Sequence, residues 1–208
     1  VVHSTTDDPV DDPLVQLAMQ AGIGWHRGSV DDVLARMLGA LAGQPVDVVL
    51  RVTGDDLLVD PDYADRAIDH HLRTNSEYTD LKALPSGTEV EVFDVELLRR
   101  LYRAAVDSDG TEYLTYYVTH HRDQILTSAA PVEEHHRREW RLTLDTAEDY
   151  EVISRLLEAM AGLGRPLTYR MDDIVDYFVN HPEVSALNAA VRQRSQPLVY
   201  RDRCHLEG

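Results

Sequence analysis

Three carboxylates carry the chemistry of this chain. Asp55 and Asp56 follow Thr53-Gly54, where a nearly unbroken apolar run, Val46 to Val52, ends. Such a run reads as a strand buried on both faces, as in a parallel sheet covered by helices. Open α/β sheets hold their ligands outside the carboxyl ends of the strands, and these two acids fall there. A strand-Gly-Asp-Asp arrangement suits a hard cation holding phosphates. Mg²⁺ takes one or two protein carboxylates and fills its other positions with water and phosphate oxygens. The same residues also read as an acidic loop leading into a helix, with Asp60 as its cap before Pro61. The third carboxylate, Asp145, follows a candidate strand, Glu139–Leu144. Thr146 then caps a helix with Glu148 and Asp149 in its first turn, where acids favour the helix dipole. Capping leaves Asp145 unexplained, and it reads as a second strand-end carboxylate facing Asp55 across the rim of the sheet.

Other chemistries find little support. Ten histidines include the adjacent pairs His70-His71, His120-His121 and His135-His136. Neighbours on a helix do not face each other, so such pairs rarely share a metal. They read as solvated surface residues, with no helical HxxxH and no cysteine partner for zinc. There is no Gly-x-Ser-x-Gly elbow, Walker loop or Gly-x-Gly-x-x-Gly, and the single cysteine, Cys204, reads as a surface thiol in a polar tail. A net charge of −17 argues against nucleic acid and anionic membranes as partners. No apolar run is long enough to span a bilayer and no signal peptide is visible, so the cytoplasm is the expected compartment.

The elements that must position the acids alternate. Val1–Ser4 reads as the end of a strand already under way, as in part of a longer polypeptide. Asp12 and Pro13 open a helix with Leu14, Leu17, Ala18 and Ala21 on its apolar face, and Gly22 ends it. Ile23–His26 is a short strand. Ser29 is the expected cap of a helix Val30–Ala42, which leads into the Val46 strand. Strand, helix, strand, helix, strand with short links calls for a doubly wound parallel sheet. Further on, a helix Asp62–Thr74 has Tyr63, Ala67, Ile68 and Leu72 on its apolar side. Thr88–Phe93 alternates as a strand does, and Val95–Ala105 carries a Leu97, Leu98, Leu101 stripe. Thr111–His121 reads as a helix bearing Tyr113, Tyr116 and Tyr117. Gln124–Ala130 is a candidate strand, and Thr146–Ala161 and Met171–Asn180 are helices. A chain of 208 residues, 43% hydrophobic, suffices for one α/β domain with a core of its own.

Taken in order, DDPLVQLA, RGSVDDVLARM, RVTGDDLLVDPD, LPSGTEVEVFDVELL, EYLTYYV and WRLTLDTAEDYEVI resemble the cytidylyltransferases of the spore-coat polysaccharide type. These are related to the synthetases of CMP-Kdo and CMP-sialic acids. The resemblance runs from Asp11 to about His181 and is most specific in RVTGDD with LTLDTAED. It implies a three-layer α/β/α Rossmann-like nucleotide-diphospho-sugar transferase fold with a mostly parallel central sheet. The domain would span 1–185, with 186–208 as a C-terminal tail. It implies cytidylyl transfer from CTP to a sugar of a surface polysaccharide, expected to be acidic, with release of pyrophosphate. It implies Mg²⁺ as the metal, with Mn²⁺ as its substitute.

By the same resemblance Asp55 and Asp145 are the catalytic and metal-ligating pair. Ser29, Asp32, Arg36 and Asp56 line the nucleotide, and Gly87, Glu89 and Glu91 border the sugar. Relatives commonly dimerise, so a homodimer is admitted. Two departures stand out. The family's opening Gly/Arg-rich loop, roughly RMGSTRLPGK, has no counterpart in these 208 residues, and Tyr113–Tyr117 replaces a common His-Val-Thr-Pro-Tyr. A non-catalytic module that binds a nucleotide-sugar or a partner enzyme, and a GT-A-like glycosyltransferase, are the competing readings.

Overall fold

The structure, a computed structural model, describes residues 1–104, 118 and 121–192. The Thr111–His121 helix with its tyrosines, and Cys204, fall almost wholly outside the described residues. In chain order the elements are β1 (Val2–Thr6), a 3₁₀ turn (Pro9–Asp11), α1 (Asp12–Gln20), β2 (Gly24–Gly28), α2 (Val33–Ala40), β3 (Val48–Arg51), α3 (Pro61–Thr74), β4 (Tyr78–Asp80), β5 (Glu91–Asp94), α4 (Val95–Ala104), β6 (Thr127–Ala129), a second 3₁₀ turn (Glu134–His136), α5 (Ala147–Gly162), α6 (Met171–Asn180) and α7 (Pro182–Ser185). The strands hydrogen-bond in two sets, β1-β2 and β3-β5-β4-β6. β1 runs parallel to β2, with Val2 opposite Gly24 and Thr6 opposite Gly28. β4 runs parallel to β6, with Tyr78 opposite Thr127. The chain packs as two compact units, one holding Val1–Val49 and Phe93–Leu126, the other Leu50–Val92 and Thr127–Ser195.

In the first unit α1 buries Val15 and Ala18, while Leu14 and Leu17 are 40% and 58% exposed. The apolar face drawn from the sequence is thus rotated, because α1 meets its narrow two-stranded sheet along only one i, i+3 line. Asp12 is the first residue of α1, and its N-cap position belongs to Asp11. The Asp11 carboxylate instead accepts the Thr5 hydroxyl at 2.7 Å and the Thr6 amide at 3.0 Å. α2 starts later than expected. Asp32, not Ser29, caps it, accepting the Ala35 amide at 2.8 Å. α4 buries Leu97, Leu98 and Leu101 as its spacing predicts.

In the second unit Asp60 caps α3 before Pro61, accepting the Asp62 amide at 2.8 Å. Its other oxygen accepts the Met171 amide at 2.6 Å and so anchors the start of α6. The stripe that α3 buries is Tyr63, Ala67 and His71, at i, i+4 and i+8, while Leu72 is 60% exposed. His71 is tolerated inside because its Nδ1 lies 2.9 Å from the Thr79 hydroxyl on β4. α5 opens with the expected Thr146 cap and buries Val152, Ile153, Leu156 and Met160. Among the described residues the candidate strand Glu139–Leu144 makes one isolated parallel bridge, Arg141 with Ser86. Its next free amide, Leu144, donates to the Asp55 carbonyl at 3.0 Å instead of extending a ladder.

The histidine pairs depart most from expectation. His71, His121 and His136 are all buried, at 1%, 8% and 5% exposure. The solvated-surface reading fails for them because each falls on the inward side of its own turn, which composition cannot reveal.

Candidate active site

Every acid proposed for the metal lies in the second unit. β3 ends at Arg51, and Thr53–Asp56 form a tight turn in which the Asp56 amide donates to the Thr53 carbonyl at 3.2 Å. The Thr53 hydroxyl donates to Asp56 Oδ2 at 2.7 Å. The buried Thr143 reaches Asp55 Oδ2 at 3.4 Å. Together with the Leu144–Asp55 backbone bond, these contacts lock the Asp-Asp turn against residues 143–145, the stretch that carries Asp145. Desolvation raises the Asp56 pKa, and the neighbouring Asp55 charge raises it further. The Thr53 bond, Arg51 and Thr143 act against this rise.

The turn at Gly87 is pressed onto the same stretch. Leu142 donates its amide to the Ser86 carbonyl at 2.6 Å. Gly87 has φ +93°, and a Cβ there would stand 2.1 Å from the Thr143 amide nitrogen. Only glycine fits, for both its backbone angle and the close approach. The Gly87 amide donates to Glu89 Oε2 at 3.2 Å. Glu89 is half-buried, and desolvation pushes its pKa up to about 7. The Asp56 and Glu91 charges push in the same direction, against the Gly87 amide and Lys82. Glu91 is engaged within the protein. It accepts Arg51 at 2.5 Å on one oxygen and the Tyr78 hydroxyl at 2.8 Å on the other.

Asp145 is 46% exposed and pairs with Arg141 at 2.5 Å. The same guanidinium grips Asp149 with two bonds of 2.9 Å. Asp149 is fully buried and also accepts the Asp145 and Thr146 amides at 3.1 and 3.0 Å and the Asn188 amide group at 2.8 Å. Burial by itself would raise its pKa, but these donors more than offset it and bring the value down to about 2. The Asp149 side chain closes a capping box with Thr146. The network therefore fixes the start of α5 and, through Arg141, the Asp145 carboxylate.

Among the site residues expected from the sequence, Asp55, Asp56, Gly87, Glu89 and Asp145 are tied together through residues 141–145. Glu91 sits in an internal ion pair. Ser29, Asp32 and Arg36 form a cluster of their own in the first unit. Ser29 Oγ accepts the Asp31 and Asp32 amides at 3.2 and 3.1 Å, and Arg36 folds back onto the Ser29 and Val30 carbonyls. Sequence reasoning missed Thr143, Arg141, Asp149 and Asn188. The T-x-x-D spacing of Thr146 and Asp149 could have pointed to the buried acid. No local signal marks Asn188, which lies in the stretch read as a polar tail.

Paired carboxylates just past a strand, with the Asp56 pKa raised by desolvation and by the Asp55 charge, form a donor set that fits a hard divalent cation. The fold is that of an α/β Rossmann-like nucleotidyltransferase. It matches the structure of a cytidylyltransferase from Leptospira borgpetersenii serovar Hardjo-bovis with a TM-score of 0.81 at 24% identity, over 96% of this chain and 81% of that one. Residues 1–174 match the family described as cytidylyltransferase, and the chain belongs to that family. It is 32% identical to the spore coat polysaccharide biosynthesis protein SpsF of Bacillus subtilis over 160 residues, 76% of this chain and 67% of that protein. It is 27% identical to an uncharacterized protein of Methanocaldococcus jannaschii over 94% of this chain and 79% of that protein. No helix among the described residues is long and apolar enough to cross a membrane.

Proposed function

We propose that the protein activates a sugar destined for a surface polysaccharide, transferring a cytidylyl group from CTP and releasing pyrophosphate. Membership of the cytidylyltransferase family supports the nucleotide, and the likeness to the spore-coat protein supports the polysaccharide. The observation that carries the reading is the Asp55-Asp56 turn at the end of β3, held by Thr53, Thr143 and the Leu144 amide. In this reading the sugar hydroxyl attacks the α-phosphorus and the bond to the bridging oxygen breaks as pyrophosphate leaves. Such transfers depend on placement and on neutralising phosphate charge.

Asp55 and Asp145, with Asp56 beside them, would hold Mg²⁺, which when bound would neutralise charge on the phosphates. Thr53 and Thr143 keep the acids oriented, and Arg141 restrains Asp145 until it is needed as a ligand. Glu89, its pKa pushed up to about 7 chiefly by desolvation, can hold a proton more readily than an ordinary carboxylate and so could donate to a sugar hydroxyl as well as accept from one. The resemblance alone assigns Ser29, Asp32 and Arg36 to the nucleotide.

The test uses the complete polypeptide that carries this chain. Pyrophosphate release is followed on mixing with CTP, Mg²⁺ and a panel of sugars. Asp55→Asn is expected to lower turnover by about 10²–10³-fold with little change in the melting temperature of the metal-free protein. Full turnover by Asp55→Asn would refute the site. CTP binding with Mg²⁺ but no pyrophosphate from any sugar would favour the non-catalytic module.

A further inference from the structure

The second 3₁₀ turn and the start of α6 bring three metal-ligating groups to one point. His135 Nε2 and His136 Nε2 lie 2.9 and 2.8 Å from the same oxygen, Asp172 Oδ1. One ligand atom from each of the three residues falls within 4.8 Å of the other two. The helix rule that separates neighbouring side chains does not operate here. The turn is a single 3₁₀ turn followed by extended backbone at Arg137, and the two imidazole centroids approach to 4.0 Å. We infer that His135, His136 and Asp172 form a binding site for a transition-metal dication of the zinc class.

The donor set argues for that class. Two imidazole nitrogens with one carboxylate oxygen suit Zn²⁺, Co²⁺ or Ni²⁺, whereas Mg²⁺ takes oxygen ligands. Tetrahedral Zn–N and Zn–O bonds of about 2.1 Å place ligand atoms roughly 3.4 Å apart. Each histidine nitrogen therefore needs to move only about half an ångström farther from the Asp172 oxygen to admit an ion. His136 is held for this role. Its ring is buried, and its Nδ1 lies 2.7 Å from the Tyr63 hydroxyl, which is itself fixed by the Glu133 amide at 3.0 Å. Without an ion, Nε2–H donates to the Asp172 carboxylate and Nδ1 accepts from the Tyr63 hydroxyl; an ion at Nε2 would take that proton's place, and the same phenol oxygen can then accept from Nδ1–H, the outer support that metal-bound histidines ordinarily have. His135 and Asp172 are 57% and 72% exposed at their side chains, which gives an ion a path in and leaves a fourth position to water. With a net charge of −17 the chain attracts cations.

None of the three ligands is among the acids proposed for Mg²⁺, and the inference does not rest on the cytidylyltransferase reading. A bound ion would clip the Glu134–His136 turn to α6 and stabilise the second unit. Full-length protein without an affinity tag, stripped of metal, is titrated with ZnCl₂ by calorimetry and with CoCl₂ by visible absorption. A single equivalent of Zn²⁺ is expected to bind below about 100 μM and raise the melting temperature, and Co²⁺ is expected to give a tetrahedral d–d spectrum. Excess Mg²⁺ should not compete. His135→Ala and Asp172→Asn change exposed side chains and should fold. Each is expected to weaken Zn²⁺ by about tenfold or more and abolish the melting shift, whereas Asp55→Asn retains both. Absence of saturable Zn²⁺ binding in that range, or undiminished binding in both His135→Ala and Asp172→Asn, would overturn the inference.

Discussion

Replacing Glu89 with glutamine isolates the electrostatic load on the acidic site. Glu89 titrates at about 7 in the folded protein, against an ordinary value of 4.5, because desolvation and the charges of Asp56 and Glu91 disfavour its ionised form. Below pH 4.5 both folded and unfolded chains hold the proton, and the stability associated with this group is fully present. Between 4.5 and 7 the unfolded chain ionises while the folded one does not. Stability is therefore lost as pH rises through this window, by about 1.4 kcal/mol per unit, and the loss reaches about 3 kcal/mol by pH 8. Glutamine keeps an oxygen for the Gly87 amide and never ionises. Glu89→Gln should match the wild type at pH 4.5 and exceed its stability by about 3 kcal/mol at pH 8. For a domain of this size that is a urea midpoint about 1–2 M higher. Urea unfolding of both proteins at the two pH values measures it, and other titrating groups cancel in the difference. A gap between the two proteins that is the same at pH 4.5 and pH 8 would show that Glu89 carries no such load.

Two further substitutions probe how the site is held. Gly87→Ala forces a Cβ into the Thr143 backbone at positive φ. It should cost about 3–5 kcal/mol by combined strain and overpacking, visible as a fall in the chemical-denaturation midpoint; a loss under about 1 kcal/mol would mean that the two segments separate easily. Asp149→Ala removes the buried carboxylate shared by Arg141, Asn188 and the Asp145 and Thr146 amides, and the donors it leaves unsatisfied should cost about 3–5 kcal/mol. It should also loosen the backbone at Asp145, whose amide loses its acceptor, so that pyrophosphate release falls even where the variant remains folded at low temperature. Unchanged stability in this variant would deny the network its structural role.

The features legible in the sequence are those that depend on a few neighbouring residues. Asp60-Pro61 specifies a capped helix start, Thr146 a second one, and Leu97, Leu98 and Leu101 an inward face, because capping and helical periodicity act within one or two turns. The RVTGDD and LTLDTAED motifs likewise carried the family and its acids. Tertiary structure decided what those acids touch. Asp149 is bonded to Asn188 only because residues 39 positions apart meet. Glu91 turns to Arg51 across 40 positions. Gly87 is obligatory because the Thr143 backbone arrives against it, and His136 is enclosed because Tyr63 comes from 73 residues away. Burial, desolvation and charge pairing are set by segments brought together through the core. No local window of sequence contains both partners of such a contact, so the state of each ionisable group is a property of the folded chain.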